Sequence, residues 1–289
     1  MLLILLAIIT STGILICFKS FEKFKIEILP AIVINYFIAG FLSYLLSYKS
    51  ISLQHMWDQN WIGLALIIGL LFIVVFFIIG KSSQKAGITI TSLASKMSFI
   101  IPIMFSILYF KESVNMMMIM GFALAIASII LAIYKPNSSS TKLKHIWLPI
   151  ALFGGAGLVD SLVKYSQETY LSQGGSTLFS LVLFAIAALA GIFSLYIQSR
   201  TLKHLLSLKT LIGGSILGIA NFGSLYYLIA ALNHSGFKSS IVFSMINIGI
   251  VTLSLIFGLF IYKERISKIN YLGIALSFIA IIILAQWNN

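Results

Sequence analysis

Residues 61–80 read WIGLALIIGLLFIVVFFIIG, and none of these 20 side chains is charged. A helix needs about 20 residues to cross the roughly 30 Å hydrocarbon core of a bilayer, so this run predicts a membrane span. Similar runs recur along the 289 residues, of which 60% are hydrophobic and 9% charged. A soluble domain is about 45–50% apolar and about 25% charged. The composition therefore predicts an all-α integral membrane protein.

Apolar runs separated by polar breaks predict ten transmembrane helices. They are expected near residues 2–18, 29–48, 61–80, 87–109, 114–134, 147–164, 175–198, 210–232, 238–261 and 269–287. The longest polar stretch lies between the fifth and the sixth run. This division predicts a first five-helix repeat at residues 1–135, a polar linker at 136–146 and a second five-helix repeat at 147–289.

The two halves match each other when the chain is shifted by 152 residues. The shift aligns Lys111-Glu112 with Lys263-Glu264 and, nine residues further along, Gly121 with Gly273. The charged pairs are expected to cap and order tight turns between spans. A five-span unit that is duplicated enters the membrane the second time from the opposite side, so the match predicts an inverted repeat. Inverted repeats place a substrate site near the bilayer midplane, between the two halves.

The chain resembles the drug/metabolite transporter superfamily, in particular its bacterial members with two EamA-type repeats. The second half carries the resemblance best, in Asn221-Phe222, Ala230-Ala231-Leu232, Ser244 to Asn247, Tyr262-Lys263-Glu264 and Gly273. The first half has a fainter version, in Pro102, Lys111-Glu112 and Gly121. The resemblance implies an exporter or exchanger of amino acids or related metabolites, with protons as a candidate driving ion, that acts as a monomer or homodimer.

The formal net charge of +12 lies almost entirely in the breaks between apolar runs, so it indicates topology and not binding to nucleic acid. The loops after odd-numbered spans hold 14 lysine and arginine residues, whereas the loops after even-numbered spans hold four. By the positive-inside rule the first set faces the cytoplasm. We therefore expect a protein of the bacterial inner membrane with both termini on the extracytoplasmic side.

Lys96 is the most informative single residue, because it lies in the middle of the fourth predicted span. About ten residues of helix, or about 15 Å, separate it from each interface. A charge at that depth is expensive and is expected to face the bundle interior, a partner or a water-filled cavity. Our hypothesis is that Lys96 binds an anionic group of the substrate or titrates during transport. The alternative is a buried ion pair that fixes helix packing.

Further candidates for substrate binding are polar and aromatic residues on other spans. Ser92 shares the helix face of Lys96, and Ser244 and Asn247 belong to a stripe of small and polar residues on the ninth span. Asn35 and Tyr227 are expected to form a polar and aromatic wall of the same site. Helix packing is the competing interpretation for most of them, since small and hydrogen-bonding residues also join membrane helices.

Asp160 is the only carboxylate inside a predicted span and is the candidate for coupling transport to protons. The alternative is a pair with Lys164, four residues further along the same helix face. The four histidines lie in or beside loops without the spacing of metal ligands, and Cys17 is the only cysteine, so we expect no metal and no cofactor. The sequence lacks the converging groups of an enzyme site.

These observations favour a secondary active transporter of a small, carboxylate-bearing metabolite that works by alternating access around a central site. Two alternatives remain at this stage: a channel, and a membrane protein that binds or assembles without transporting. Channels are usually built from rings of charge or from dedicated filters. An internal duplication favours one chain that encloses its own path.

Overall fold

The computed structural model describes residues 1–47, 60–109, 111, 114–134, 145–170, 176–197, 205–237 and 239–286. Within these ranges the chain forms helices joined by short connections. The helices are α1 (Leu2–Phe24), α2 (Ile28–Ser47), α3 (Ile62–Lys85), α4 (Ile88–Met97), α5 (Ile100–Tyr109), α6 (Met116–Ile133), α7 (Trp147–Thr169), α8 (Ser176–Ile197), α9 (Leu208–His234), α10 (Ser239–Phe260) and α11 (Lys268–Gln286). The predicted polar linker falls largely outside the described residues, and so does Glu112.

The lengths and apolar content of these helices are those of a multi-pass membrane protein. Among the described residues, nine helical segments are long and apolar enough to cross a membrane, with α4 and α5 together counting as one segment of 22 residues. Helix α11 contributes a shorter apolar segment, Lys268–Leu284. The all-helical architecture predicted from the sequence is confirmed at this level.

The fourth predicted span differs from the expectation, because it is two helices and not one. Helix α4 ends at Met97 and α5 begins at Ile100. Pro102 explains the break, since proline has no N–H to donate to the carbonyl four residues earlier, which is that of Ser98. Ile101 N donates to Ser98 O instead, at 2.9 Å. The interruption therefore begins two residues after Lys96, at Ser98.

Several helices continue beyond the apolar runs that predicted them. Helix α1 extends to Phe24, α3 to Lys85 and α7 to Thr169, five or more residues past the expected ends. Polar and charged residues at these ends still form helical turns, because membrane helices can continue into the aqueous interface. Lys25 then stops α1 with a left-handed backbone, at φ 53°.

Helices α6 and α11 pack closely through the two glycines that the repeat aligned. A Cβ atom at Gly273 would lie 2.7 Å from Ser128 O, and one at Gly121 would lie 2.5 Å from Leu284 Cγ. Asn270 strengthens the contact, because its Nδ2 donates to three carbonyls at the end of α6, including Ala132 O at 2.7 Å. The matched glycines are therefore explained by helix contact.

The remaining helices surround the centre of the molecule. Helix α1 packs against α9 and α10, and α7 packs against α3, α4 and α5. Helices α2 and α8 contact each other, and each also packs against a helix of the other half, α9 and α3 respectively. The two halves of the chain are thus interleaved, and a cavity lies where they meet.

Candidate functional site

A central cavity of about 750 Å³ has walls from both halves of the chain. Helices α1–α5 and α7–α10 contribute to it. Its volume falls within the range of about 300–1,000 Å³ that is typical of small-molecule sites. The polar and charged residues of its wall are Ser11, Tyr36, Ser92, Ser95, Lys96, Ser98, Asp160, Lys164, Gln167, Glu168, Asn221, Ser224 and Asn247.

Lys96 lies in the last turn of α4, and its side chain lines this cavity. In the part of the chain that the structure describes, it forms no hydrogen bond and no ion pair. The break at Ser98 follows within two residues and leaves a short non-helical turn at the cavity wall. The sequence-based expectation that Lys96 faces the interior of the bundle therefore agrees with its position.

Asp160 lies on α7 and is exposed to the same cavity. Its charge interacts with that of Lys96 through space, but no ion pair or hydrogen bond joins the two side chains within the described ranges. The alternative pair of Asp160 with Lys164 does not form. Lys164 Nζ instead lies 3.6 Å from Glu168 Oε1 and donates to Ser106 Oγ on α5.

Two further predicted residues also line the cavity. Ser92 is buried on α4, one turn before Lys96, and its Oγ donates to Thr89 O at 2.8 Å. Asn247 is half-buried on α10. The structure therefore brings together four of the predicted site residues, namely Ser92, Lys96, Asp160 and Asn247, on three helices.

Three predicted residues lie outside the lining of the cavity. Asn35 is fully buried between α2 and α9, and its amide nitrogen, in the orientation that satisfies its neighbours, donates to Leu217 O at 3.3 Å. Tyr227 packs edge-to-face on Tyr226, with ring centroids 5.3 Å apart. Ser244 is half-buried on α10. The contacts of Asn35 and Tyr227 are those of helix packing.

Tyr36, and not its neighbour Asn35, lines the cavity from α2. Its ring is 1% exposed, lines the cavity, and packs against Phe76 and Phe184 at centroid distances of 5.4 and 6.1 Å. Its hydroxyl is buried and has no hydrogen-bond partner within the described part of the chain. Buried hydroxyl groups normally have a partner, so this one requires an explanation.

The opposite end of α4 is closed by Glu264, a residue of the second half. The Glu264 carboxylate accepts from Ile88 N at 2.6 Å, from Thr89 N at 3.3 Å and from Thr89 Oγ1 at 2.9 Å. It therefore satisfies free N–H groups at the start of the helix and lies at the positive end of the helix dipole. Glu264 therefore caps a helix, as predicted, but the capped helix is α4 of the first half and not a helix beside its own turn.

Two glycines make room for the Glu264 carboxylate. Gly87 has φ +104°, and a Cβ atom there would lie 2.7 Å from Glu264 Oε1. A Cβ atom at Gly258 would lie 2.7 Å from Glu264 Oε2. Any larger residue at either position would therefore displace the carboxylate or the backbone that carries it.

A second cavity, of about 310 Å³, lies at this end of the bundle, which we call the basic end because Lys19, Lys85 and Arg265 line it. Tyr262 also lines it and connects α1 to the segment after α10, because its hydroxyl bonds Ser20 Oγ at 2.9 Å and donates to Ile16 O at 3.2 Å. Burial raises the pKa of Tyr262, so the hydroxyl keeps its proton.

No family model matches the chain. A relative from Haemophilus influenzae, an uncharacterized protein, is 31% identical over 285 residues, which are 96% of this chain and 95% of the relative. The chain belongs to the same family as this protein. The resemblance to the drug/metabolite transporter superfamily stays a prediction.

One solved crystal structure of a protein resembles the fold over almost its whole length. It aligns with a TM-score of 0.59 over 98% of both chains, at 12% sequence identity. At that identity the likeness concerns the fold alone. The fold of this chain therefore resembles one that occurs in an experimentally determined structure.

The central cavity combines charged, polar and aromatic side chains. Among the described residues, it presents one ammonium group and one carboxylate without an ion pair, beside aromatic side chains. Among the described residues, no cluster of three or more His, Cys, Asp or Glu could hold a metal ion. Binding through charge and hydrogen bonds is what these groups can do.

Proposed function

We propose that the chain is a secondary active transporter, an exporter or exchanger, of a small carboxylate-bearing metabolite such as an amino acid. The observation that carries this proposal is Lys96, a cation that lines a cavity of about 750 Å³ in an apolar bundle and has no ion pair or hydrogen bond among the described residues. An intramembrane charge without a partner is costly, and ionisable residues of this kind mark substrate or ion pathways. A substrate carboxylate would supply the missing partner.

The packing of the helices supports a pair of inverted repeats. If each span of the first half corresponds to the fifth span after it, the contact of α1 with α9 corresponds to that of α7 with α3. The contact of α2 with α9 then corresponds to that of α8 with α3, and the contact of α10 with α11 to that of α4 with α6. All of these contacts occur.

The backbone supports the same symmetry. The two lysines that the 152-residue shift aligns, Lys111 and Lys263, both have left-handed backbones, with φ of 55° and 51°. Left-handed conformations are uncommon for residues other than glycine. Two equivalent packings of such repeats around a fixed site provide the two states that alternating access requires.

The two ends of the bundle correspond to the two sides of the membrane in this proposal. The basic end faces the cytoplasm by the positive-inside rule, and both termini are then extracytoplasmic. Glu264 keeps the cytoplasmic end closed by joining the second half to α4. The central cavity extends to Glu168, whose side chain is 41% exposed near the other end of α7. The proposal therefore assigns this structure to the outward-facing state.

The remaining functional expectations belong to the same proposal. Asp160 is the acid available for coupling to protons, since its carboxylate faces the cavity and has no pairing side chain among the described residues. The protein works in the bacterial inner membrane as a member of the drug/metabolite transporter superfamily. Its partners are the substrate, protons and the lipid bilayer.

Counterflow in proteoliposomes tests the proposal. Vesicles loaded with one unlabelled amino acid, organic acid or sugar phosphate are diluted into a trace of the same labelled compound. We expect saturable, transient accumulation of at least one carboxylate, and loss of this signal in Lys96→Met. A current that does not saturate would instead identify a channel. Absence of flux for every compound would leave a binding or assembly protein and overturn the proposal.

A further inference from the structure

The central cavity presents two opposite charges on different walls. Lys96 approaches from α4 and Asp160 from α7, two helices that pack against each other. Within the described residues neither side chain has an ion pair or a hydrogen bond, although their charges interact through space. Two opposite charges that line one cavity without joining leave a gap that a ligand with both charges can fill.

The other charged pair of the cavity behaves differently and serves as a reference. Lys164 and Glu168 also line the wall, but they lie 3.6 Å apart, and Lys164 additionally donates to Ser106. Their charges compensate each other within one helix. Among the described residues, the charged side chains of the cavity wall that have no ion pair are therefore Lys96 and Asp160.

Tyr36 provides an independent indication that a polar ligand belongs here. Its hydroxyl is buried at the cavity wall without a partner in the described part of the chain. Leaving a buried donor unsatisfied costs free energy, so a partner for it is expected. A shift of the Tyr36 side chain toward the cavity would let this hydroxyl bond a carboxylate or amino group of a bound molecule.

Aromatic side chains form much of the remaining cavity wall and favour a ligand whose other atoms are apolar. Phe72, Phe76 and Phe184 line the cavity beside Tyr36, and the rings of Phe72 and Phe184 lie 6.4 Å apart. Aromatic rings favour apolar groups over further charges. The site therefore combines one cationic group and one anionic group with an apolar surface.

We propose that the substrate is a zwitterion whose carboxylate binds Lys96 and whose ammonium group binds Asp160. This inference rests on the proposed transport function and narrows its substrate class. It assigns Asp160 a direct contact with the substrate. Neither a simple organic acid nor a simple amine could compensate both charges.

A binding assay on purified protein in detergent separates these classes. The probes are the common L-amino acids, each with the deaminated acid and the decarboxylated amine that have the same side chain, as for L-leucine, 4-methylpentanoate and 3-methylbutylamine. We expect at least one amino acid to bind, and its acid and amine to bind at least about tenfold more weakly, since hydrogen bonds to charged groups are among the strongest. Equal affinity for the acid, or no binding of any amino acid, would overturn the zwitterion.

Two variants assign the charges. Lys96→Met should weaken binding of the amino acid by about tenfold or more and leave the affinity for the amine unchanged, because only the substrate carboxylate loses its partner. Asp160→Asn should weaken binding of the amino acid by a similar factor and leave the affinity for the deaminated acid unchanged. Lys81→Met removes a cation that lies over the ring of Phe77 and outside the cavity lining, and it is the control, with a change of less than about threefold expected.

Other outcomes separate this inference from the transport proposal. If Asp160→Asn abolishes the pH dependence of counterflow but leaves the preference among the three probes unchanged, Asp160 carries only a proton and the zwitterion is wrong, while the transporter stands. If an amino acid binds with the expected preference but no compound gives counterflow, the site stands and the transport proposal fails. Size-exclusion profiles of each variant confirm that the protein is folded.

Discussion

Helix α4 is only ten residues long, but the polar groups at its two ends differ in their bonding. At the first end, Ile88 N, Thr89 N and Thr89 Oγ1 all donate to Glu264. At the second end, Lys96 meets a cavity and, within the described residues, no pairing side chain. The same helix therefore begins at polar groups that another part of the protein pairs, and it ends near a charged side chain that no described residue pairs.

This difference separates groups that stabilise the fold from groups that are available to a ligand. A paired charge contributes to stability, and its loss leaves donors unsatisfied. An unpaired charge in an apolar bundle costs free energy, and its replacement by an apolar residue removes that cost. Substitutions at the two ends of α4 should consequently change stability in opposite directions, and only one of them should abolish substrate binding.

The largest effect is expected for Lys96→Met. Counterflow of the transported compound should fall by at least about tenfold, because a charged hydrogen bond of about 1.5–3 kcal/mol is lost. Thermal unfolding in detergent should shift upward or stay unchanged, since methionine removes a costly charge. Lys81→Met is the control, because Lys81 lies over the ring of Phe77 at 5.5 Å and not at the cavity. A marked drop in melting temperature would indicate that Lys96 is structural.

Glu264→Ala should have the opposite signature. It removes three hydrogen bonds at the start of α4 and should lower the free energy of unfolding by about 2–3 kcal/mol. It should also open the basic end. A cysteine in place of Ile90, which lines the cavity there, should then react faster with a water-soluble maleimide in a background without Cys17.

Arg265→Ala is the matched control for this experiment. Arg265 is exposed and lines the same cavity one residue after Glu264. Its loss should leave both the melting temperature and the rate of labelling close to those of the parent. Equal effects of the two substitutions would mean that charge at the basic end matters, and not the contact of Glu264 with α4.

The all-helical architecture followed from the sequence because lipid imposes a simple rule. A backbone in hydrocarbon must satisfy its own hydrogen bonds, so each long apolar run becomes a helix. The break before α5 did not follow, although Pro102 is visible in the sequence. Proline in a membrane helix produces anything from a mild kink to an interruption, and the local packing decides which.

The site residues were predictable from the sequence only where a charged residue lies within an apolar run. Lys96 and Asp160 stand out because charges are rare within apolar runs, and both line the cavity. Asn35 and Tyr36 are adjacent on a helix that is apolar almost all round, so the sequence contains no signal for which of them faces inward. The contact between Glu264 and Thr89 links residues 175 positions apart, which no local pattern indicates.

A smaller effect is expected for Gly87→Ala at the satisfied end of α4. Gly87 has φ +104°, a conformation that L-residues rarely adopt, and the new Cβ would lie 2.7 Å from Glu264 Oε1. Strain of this kind costs about 1–3 kcal/mol, so the melting temperature should fall. Gly154→Ala in α7 is the control with the opposite sign, because a Cβ there meets nothing within 4 Å and alanine favours a helix by about 0.5–1 kcal/mol.

The smallest effect is expected for Tyr262→Phe. The hydroxyl bonds Ser20 and Ile16 O, and a hydrogen bond between membrane helices contributes on average only about 0.6 kcal/mol. The melting temperature should therefore fall by about one or two degrees. Tyr271→Phe is the control: the Tyr271 ring is exposed, so the melting temperature should not change. Since Tyr262 joins α1 to the segment that carries Glu264, its loss should also increase labelling at residue 90, but less than Glu264→Ala does. A larger increase than that of Glu264→Ala would mean that Tyr262 is the main contact holding the basic end closed.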